Sequence, residues 1–146
     1  MKFLPFLGKR LKDDDVVDVL ECAEMEVVYD FDRSHENIPD KYWAASKKEG
    51  FQFGFDADQI LGVIFLYVAP IDGFTSVTRS DCDVSLFATT DEAEAYGAEQ
   101  KLRTTKGKTD FLGARREWVR LEFEKHSVHY EFRGGSLTLV TVTKKE

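Results

Sequence analysis

Hydrophobic and polar residues alternate most regularly between Glu117 and Val142, EWVRLEFEKHSVHYEFRGGSLTLVTV. Val119, Leu121 and Phe123 interleave with Arg120 and Glu122. Val128, Tyr130 and Phe132 interleave with His129 and Glu131, and Leu137 and Leu139 follow Gly134-Gly135. Period-two alternation predicts strands with one buried face. Gly-Gly between two such runs predicts a hairpin, because both positions reach positive φ at little cost. The expected meander sets Phe132 opposite Leu137 and Tyr130 opposite Leu139. With the first turn centred on Lys125-His126, Phe123 meets Val128, Leu121 meets Tyr130, and His129 stands across from Glu122. One apolar set then shares one face, which a one-residue slip would break.

A second hairpin is expected over Phe51–Tyr67, FQFGFDADQILGVIFLY. Phe51, Phe53 and Phe55 share a face, and a turn at Asp56–Gln59 pairs Phe55 with Ile60, which brings Ile60 and Ile64 to that face. Leu61, Val63, Phe65 and Tyr67 point the other way. Apolar residues on both faces suit a central strand covered on each side, or a strand with one face given to a partner. Asp13–Ala23 predicts a helix, since Val16, Val19, Leu20 and Ala23 form one stripe and the aspartates before it suit the positive end of the dipole. Glu26–Phe31 predicts a short strand, and the segment through Pro39 a loop before Tyr42-Trp43. Val84–Ala88 predicts another strand. Thr89 with Glu92 makes a capping box that opens a helix, with Gly97 as its stop. Lys101–Lys108 reads as a basic loop.

These elements predict an α+β domain spanning residues 1–146. Its single twisted antiparallel sheet has about five to seven strands, with two short helices packed on one face. Helix, loop and hairpin are followed by strand, helix, loop and meander, so two halves follow one plan.

Charge changes this picture more than composition does. The chain has 146 residues and a net charge of −7, but Asp13–Asp40 holds eleven carboxylates against Arg33 alone, a local −10. That window disfavours nucleic acid as a partner and favours a protein with a basic surface. No apolar run approaches the ~18 residues of a membrane span. Cys22 and Cys82 suggest reduced thiols in a cytoplasm. Asp56-Ala57-Asp58 opens like a calcium loop but has Leu61 where the glycine belongs, and Asp81-Cys82-Asp83 lacks companion ligands. No cofactor, metal or catalytic residue is therefore expected. Tyr42, Trp43, Phe65 and Tyr67 are either core or the aromatic anchors of a binding surface inside a charged rim.

Three stretches carry a resemblance: YW…GFQFGFD…ILGVIFLY, DVSLFATTDEAEAYG and EWVRLEF…HSVHYEFRGGSLTLVTV, together covering Tyr42 to Val142. This pattern resembles small bacterial immunity proteins of polymorphic-toxin and contact-dependent growth inhibition systems. The alternation of helix and antiparallel sheet is also similar to β-lactamase inhibitor proteins, which cover another protein's active site. The resemblance implies a non-enzymatic cytoplasmic protein that binds a cognate toxin, a nuclease among the candidates. The charge map supplies its expected partner-binding residues: Asp13, Asp14, Asp15, Asp18, Glu21, Glu24, Asp30, Asp32, Glu36 and Asp40, with Tyr42 and Trp43 beside them. The alternatives are a scaffold or interaction module with another partner and, further off, a small-ligand binder or enzyme.

Overall fold

The computed structural model describes residues 1–31, 34 and 36–146. Its elements are a 3₁₀ turn at Leu4–Phe6, helix α1 (Asp14–Cys22), strands β1 (Glu26–Asp30), β2 (Lys41–Ser46), β3 (Phe51–Phe55) and β4 (Leu61–Tyr67), then helix α2 (Thr90–Glu99) and strands β5 (Arg103–Phe111), β6 (Ala114–Glu122), β7 (His126–Arg133) and β8 (Ser136–Lys144). The strands form one open antiparallel sheet in the order β1-β2-β3-β4-β8-β7-β6-β5. Its eight strands exceed the five to seven expected. The extra ones are β2, which opens at Lys41 just before Tyr42-Trp43, and β5, where the run expected as a basic loop pairs along its whole length with β6.

Each half runs as one helix followed by a four-stranded meander, and the last strands of the two meanders, β4 and β8, join at the centre. One core is built from alternate residues across the sheet: Phe51, Phe53 and Phe55, then Ile64 and Leu66, Val140 and Val142, Val128, Tyr130 and Phe132, Val119 and Leu121. Helix α1 adds Val16 to that core, with Val19, Leu20 and Ala23 packed against it, which is the stripe its spacing predicts. The Asp13 side chain makes no cap bond at its start; the Asp15 carboxylate accepts from the Val16 N–H at 3.0 Å instead.

Two bulges explain where the expected pairings fail. Phe53 pairs with Ile64, but beyond Gly54 the register shifts and Phe55 meets Leu61 rather than Ile60. Gly62 is the extra residue, and Leu61 enters the core while Ile60 bridges to Arg10. In β8 the extra residue is Thr138: Phe132 meets Leu137 as expected, yet Tyr130 meets Val140 rather than Leu139. The Thr138 carbonyl accepts from the N–H groups of Val68 and Ala69 at 2.9 and 3.2 Å, so the bulge ties the segment after β4 to β8. The turn before β7 is centred one residue earlier than expected, with Leu121 opposite Val128 and Val119 opposite Tyr130. Moving the centre by one residue moves every partner by two, so each side chain keeps its face.

Val84–Ala88 is not a strand; the Ser85 carbonyl accepts from the Tyr130 hydroxyl at 2.7 Å. The cap of α2 is close to expectation. Thr89 Oγ1 accepts from the Glu92 N–H at 3.2 Å, and the Glu92 carboxylate reaches back to the Ala88 N–H at 2.9 Å. Gly97 does not stop the helix. It is buried, and a Cβ there would meet Thr104 Oγ1 and lie 2.9 Å from Leu121 Cδ2, so glycine is what lets α2 settle onto β5 and β6.

Candidate functional site

The sheet has a second face, made by the residues between the core positions. From β1 towards β5 it carries Val28, Trp43, Val63 with Phe65, Leu139 with Thr141, His129, Trp118 and Thr105, as the registers dictate. Trp43, Phe65, Trp118 and His129 are half-buried and lie outside the core cluster.

Both tryptophans stand directly opposite a glycine. Trp43 pairs with Gly54, and a Cβ on that glycine would lie 2.7 Å from Trp43 Cζ3 and 2.5 Å from Val63 Cγ1. Trp118 pairs with Gly107, whose Cβ would lie 2.6 Å from Trp118 Nε1. In each case the indole occupies the space over the glycine that a side chain would fill, the arrangement by which an aromatic residue compensates a glycine in a neighbouring strand. A second ring supports each indole: Phe65 at 6.0 Å from Trp43, and His129 stacked at 5.4 Å and 22° on Trp118. Trp43 and Trp118 occupy the second strand of their respective meanders, so the two halves present the same device on the same face.

Charged pairs surround the Trp118 end. Arg120 Nε donates to Glu122 at 2.7 Å, Lys145 Nζ to the other oxygen of Glu122 at 2.9 Å, and Arg133 to Glu131 at 3.3 Å. Lys145 and then Arg120 hold the Glu122 carboxyl below its ordinary value. At the other end the Lys41 ammonium lies 5.6 Å over the Trp43 ring, and Phe74 stacks at 3.8 Å on Tyr67, covering one corner of the face.

The expected partner-binding residues fall into separate groups. Asp14, Asp18 and Glu21 are exposed and spaced along one side of α1, and exposed Glu24 follows the helix. Asp13 and Asp15 have local partners: Asp13 accepts from the Arg10 N–H at 2.8 Å, and Asp15 pairs with Lys9. Asp30 lies on β1 and exposed Glu36 follows it. Asp40 accepts a 2.6 Å bond from the Tyr29 hydroxyl, which pushes that phenol up to about 12. Asp32 lies outside the described residues. Tyr42 and Trp43 cannot line one surface, because neighbours in a strand face opposite ways. Tyr42 turns to the core side and stacks on Tyr29 at 4.9 Å, while Trp43 turns to the second face. Trp118, on no expected list, is the counterpart of Trp43. Gly107 in a basic run, followed by Trp118 across one turn, is the sequence signal for it.

His129 stands opposite Arg120 and Thr141, not Glu122 as expected, because of the shifted turn. Burial is the main cause that keeps His126 and His129 below the ordinary imidazole value. Groups held neutral in the fold gain protons on unfolding, so this stability is present above the ordinary value near 6.5 and is lost as pH falls below it. Urea midpoints should therefore fall between pH ~7 and ~5, and replacing both histidines by glutamine should flatten that fall. Glu122 adds a second loss, starting below its ordinary 4.5 and ending as the pH passes its lowered value.

Asp83 receives the N–H groups of Phe3 and Leu4 at 2.7 and 2.9 Å, and Asp56 those of Asp58 and Ile60 at 2.9 and 3.0 Å, so both carboxylates serve the backbone. A cleft of about 840 Å³ lies between the start of α2 and β5–β6, where Lys106 pairs with Glu94 at 2.6 Å and Arg115 with Glu117 at 2.6 Å. No helix among the described residues is long and apolar enough to cross a membrane. The chain matches no family model, no curated protein and no solved structure.

Proposed function

We propose that this protein works by binding another protein, as an immunity protein that neutralises a cognate bacterial toxin by covering its active site or substrate cleft. The observation that carries this reading is the second sheet face, with Trp43 and Trp118 held half-buried over glycine, arginine–glutamate pairs beside Trp118 and the Lys41 ammonium over Trp43. Large aromatic anchors within a polar rim are the anatomy of protein interfaces. In this reading both helices pack on the core side and leave the second face to the partner. The exposed carboxylates of α1 and of the segment through Asp40 speed association with a basic surface. A nuclease, whose cleft receives phosphates, offers such a surface, and the encounter takes place in the bacterial cytoplasm.

The test is the purified product of the neighbouring gene. A one-to-one complex should form and the toxin's activity should vanish. Its association rate should fall about tenfold or more from low to high salt, and fall likewise in a D14K/D18K/E21K variant. A complex that forms equally fast at every salt concentration removes the acidic steering. Absence of any complex removes the function.

A further inference from the structure

The two free edges of the sheet are unlike. Strand β5 carries Arg103, Lys106 and Lys108, the charges that protect an exposed edge from unwanted pairing. Strand β1, at the opposite edge, reads Glu-Val-Val-Tyr-Asp and has no basic residue. Every residue of it is exposed, with Val27 at 40%, Val28 at 57% and Tyr29 at 45%. Among the described residues it pairs with β2 alone, so alternate N–H and C=O groups along it point away from the sheet. Glu26, Val28 and Asp30 lie on one side, Val27 and Tyr29 on the other. Lys41 stands opposite Asp30, but its ammonium sits over Trp43.

Charge decides what fits there. An antiparallel second copy of β1 centred on Val28 would set Glu26 against Asp30 twice, and like charges directly opposite destabilise a sheet. The β5 edge of a second copy fits no better. Glu26 and Asp30 are four residues apart, while the basic residues of β5, at 103, 106 and 108, include no two that are four apart. No register satisfies both carboxylates.

We propose that β1 is a docking edge that accepts, by strand addition, an extended segment of another protein with lysine or arginine at two positions four apart and an apolar residue midway. The added strand completes the hydrogen bonding of β1, sets its apolar residue beside Val28, and brings its cations to Glu26 and Asp30. Such addition draws affinity from the main chain and selectivity from alternate side chains. The inference does not require the partner to be a toxin, and it concerns the main-chain edge of β1, where Glu26, Val28 and Asp30 form the rim of the tryptophan face.

The probe is a capped peptide, Lys-Thr-Val-Thr-Lys, which presents the same pattern in either direction. Added to the full chain and followed by amide NMR, it should shift residues 26–30 and their β2 partners. A Glu-Thr-Val-Thr-Glu peptide should bind about tenfold more weakly. An E26K/D30K variant should reverse that preference, and a lysine peptide methylated on alternate backbone nitrogens should not bind. The proposal is overturned if both peptides bind alike, if the methylated peptide binds as well, if the shifts lie elsewhere or never appear at millimolar peptide, or if sedimentation shows the protein pairing with itself through β1.

Discussion

Replacing Trp43 and Trp118 together by alanine should weaken the proposed complex with a partner protein by about a thousandfold, measured by calorimetry or surface binding at moderate salt. An aromatic anchor at the centre of an interface contributes about 2 kcal/mol or more, and two such losses correspond to roughly three powers of ten. The loss should appear chiefly as faster dissociation, since neither indole contributes to the long-range field. The charge-reversal variant of α1 should show the opposite signature, a slower association with little change in dissociation. The fold should survive both alanine substitutions. Each indole lies outside the core cluster and covers a glycine on the second face, so removal costs a cross-strand pair, about 1 kcal/mol. Trp43→Phe and Trp118→Phe keep the glycines covered and provide the control, with near-native urea midpoints and an intermediate affinity. If the double alanine variant folds and binds as tightly as the parent, the second face is not the interface.

That face was only partly legible in the sequence. The alternation of β6, β7 and β8 is visible because one side of each strand meets the core, and in β6 and β7 even a misplaced turn centre leaves every face correct. Parity fails at bulges, and nothing in ILGVIF or LTLVTV marks Gly62 or Thr138 as the extra residue. Strict alternation therefore puts Leu61 and Leu139 on the wrong sides. Strand β5 was illegible for another reason. An edge strand with lysines and a glycine has almost no apolar alternation, and it exists because β6 pairs with it along its whole length. The acidic window was plain in the composition, but its division among α1, β1 and the segment through Asp40 depends on a chain path that charge does not encode. Tyr42 and Trp43 illustrate the same limit: adjacent letters suggest one surface, and strand geometry gives them two.

The largest loss of stability from a single small substitution should come from Gly50→Ala, about 3–5 kcal/mol, or a fall in melting temperature of roughly 10 °C or more. Gly50 closes the turn between β2 and β3 with φ at +77°, where a side chain is strained. Its surroundings add a steric cost. A Cβ would collide with the Thr75 carbonyl oxygen and lie 2.6 Å from the Val77 nitrogen and 2.8 Å from the Ser76 carbonyl carbon, all of them backbone atoms. Those atoms belong to the connection between the two halves, which is tied down at this point. Thr75 N–H donates to the Lys47 carbonyl at 2.9 Å, Val77 N–H to the Tyr67 carbonyl at 2.7 Å, and Tyr67 N–H to the Gly50 carbonyl at 2.9 Å. Yielding to a methyl group would break this lattice and loosen Val77 and Phe74, which the connection buries. Gly135→Ala separates the two contributions, because Gly135 has a similar φ of +85° and nothing within 4 Å of its Cβ position. It should cost only the backbone strain, about 1 kcal/mol. Equal losses at the two positions would mean that the collision at Gly50 is relieved without penalty, and that the connection is not held against the first meander as tightly as its hydrogen bonds indicate.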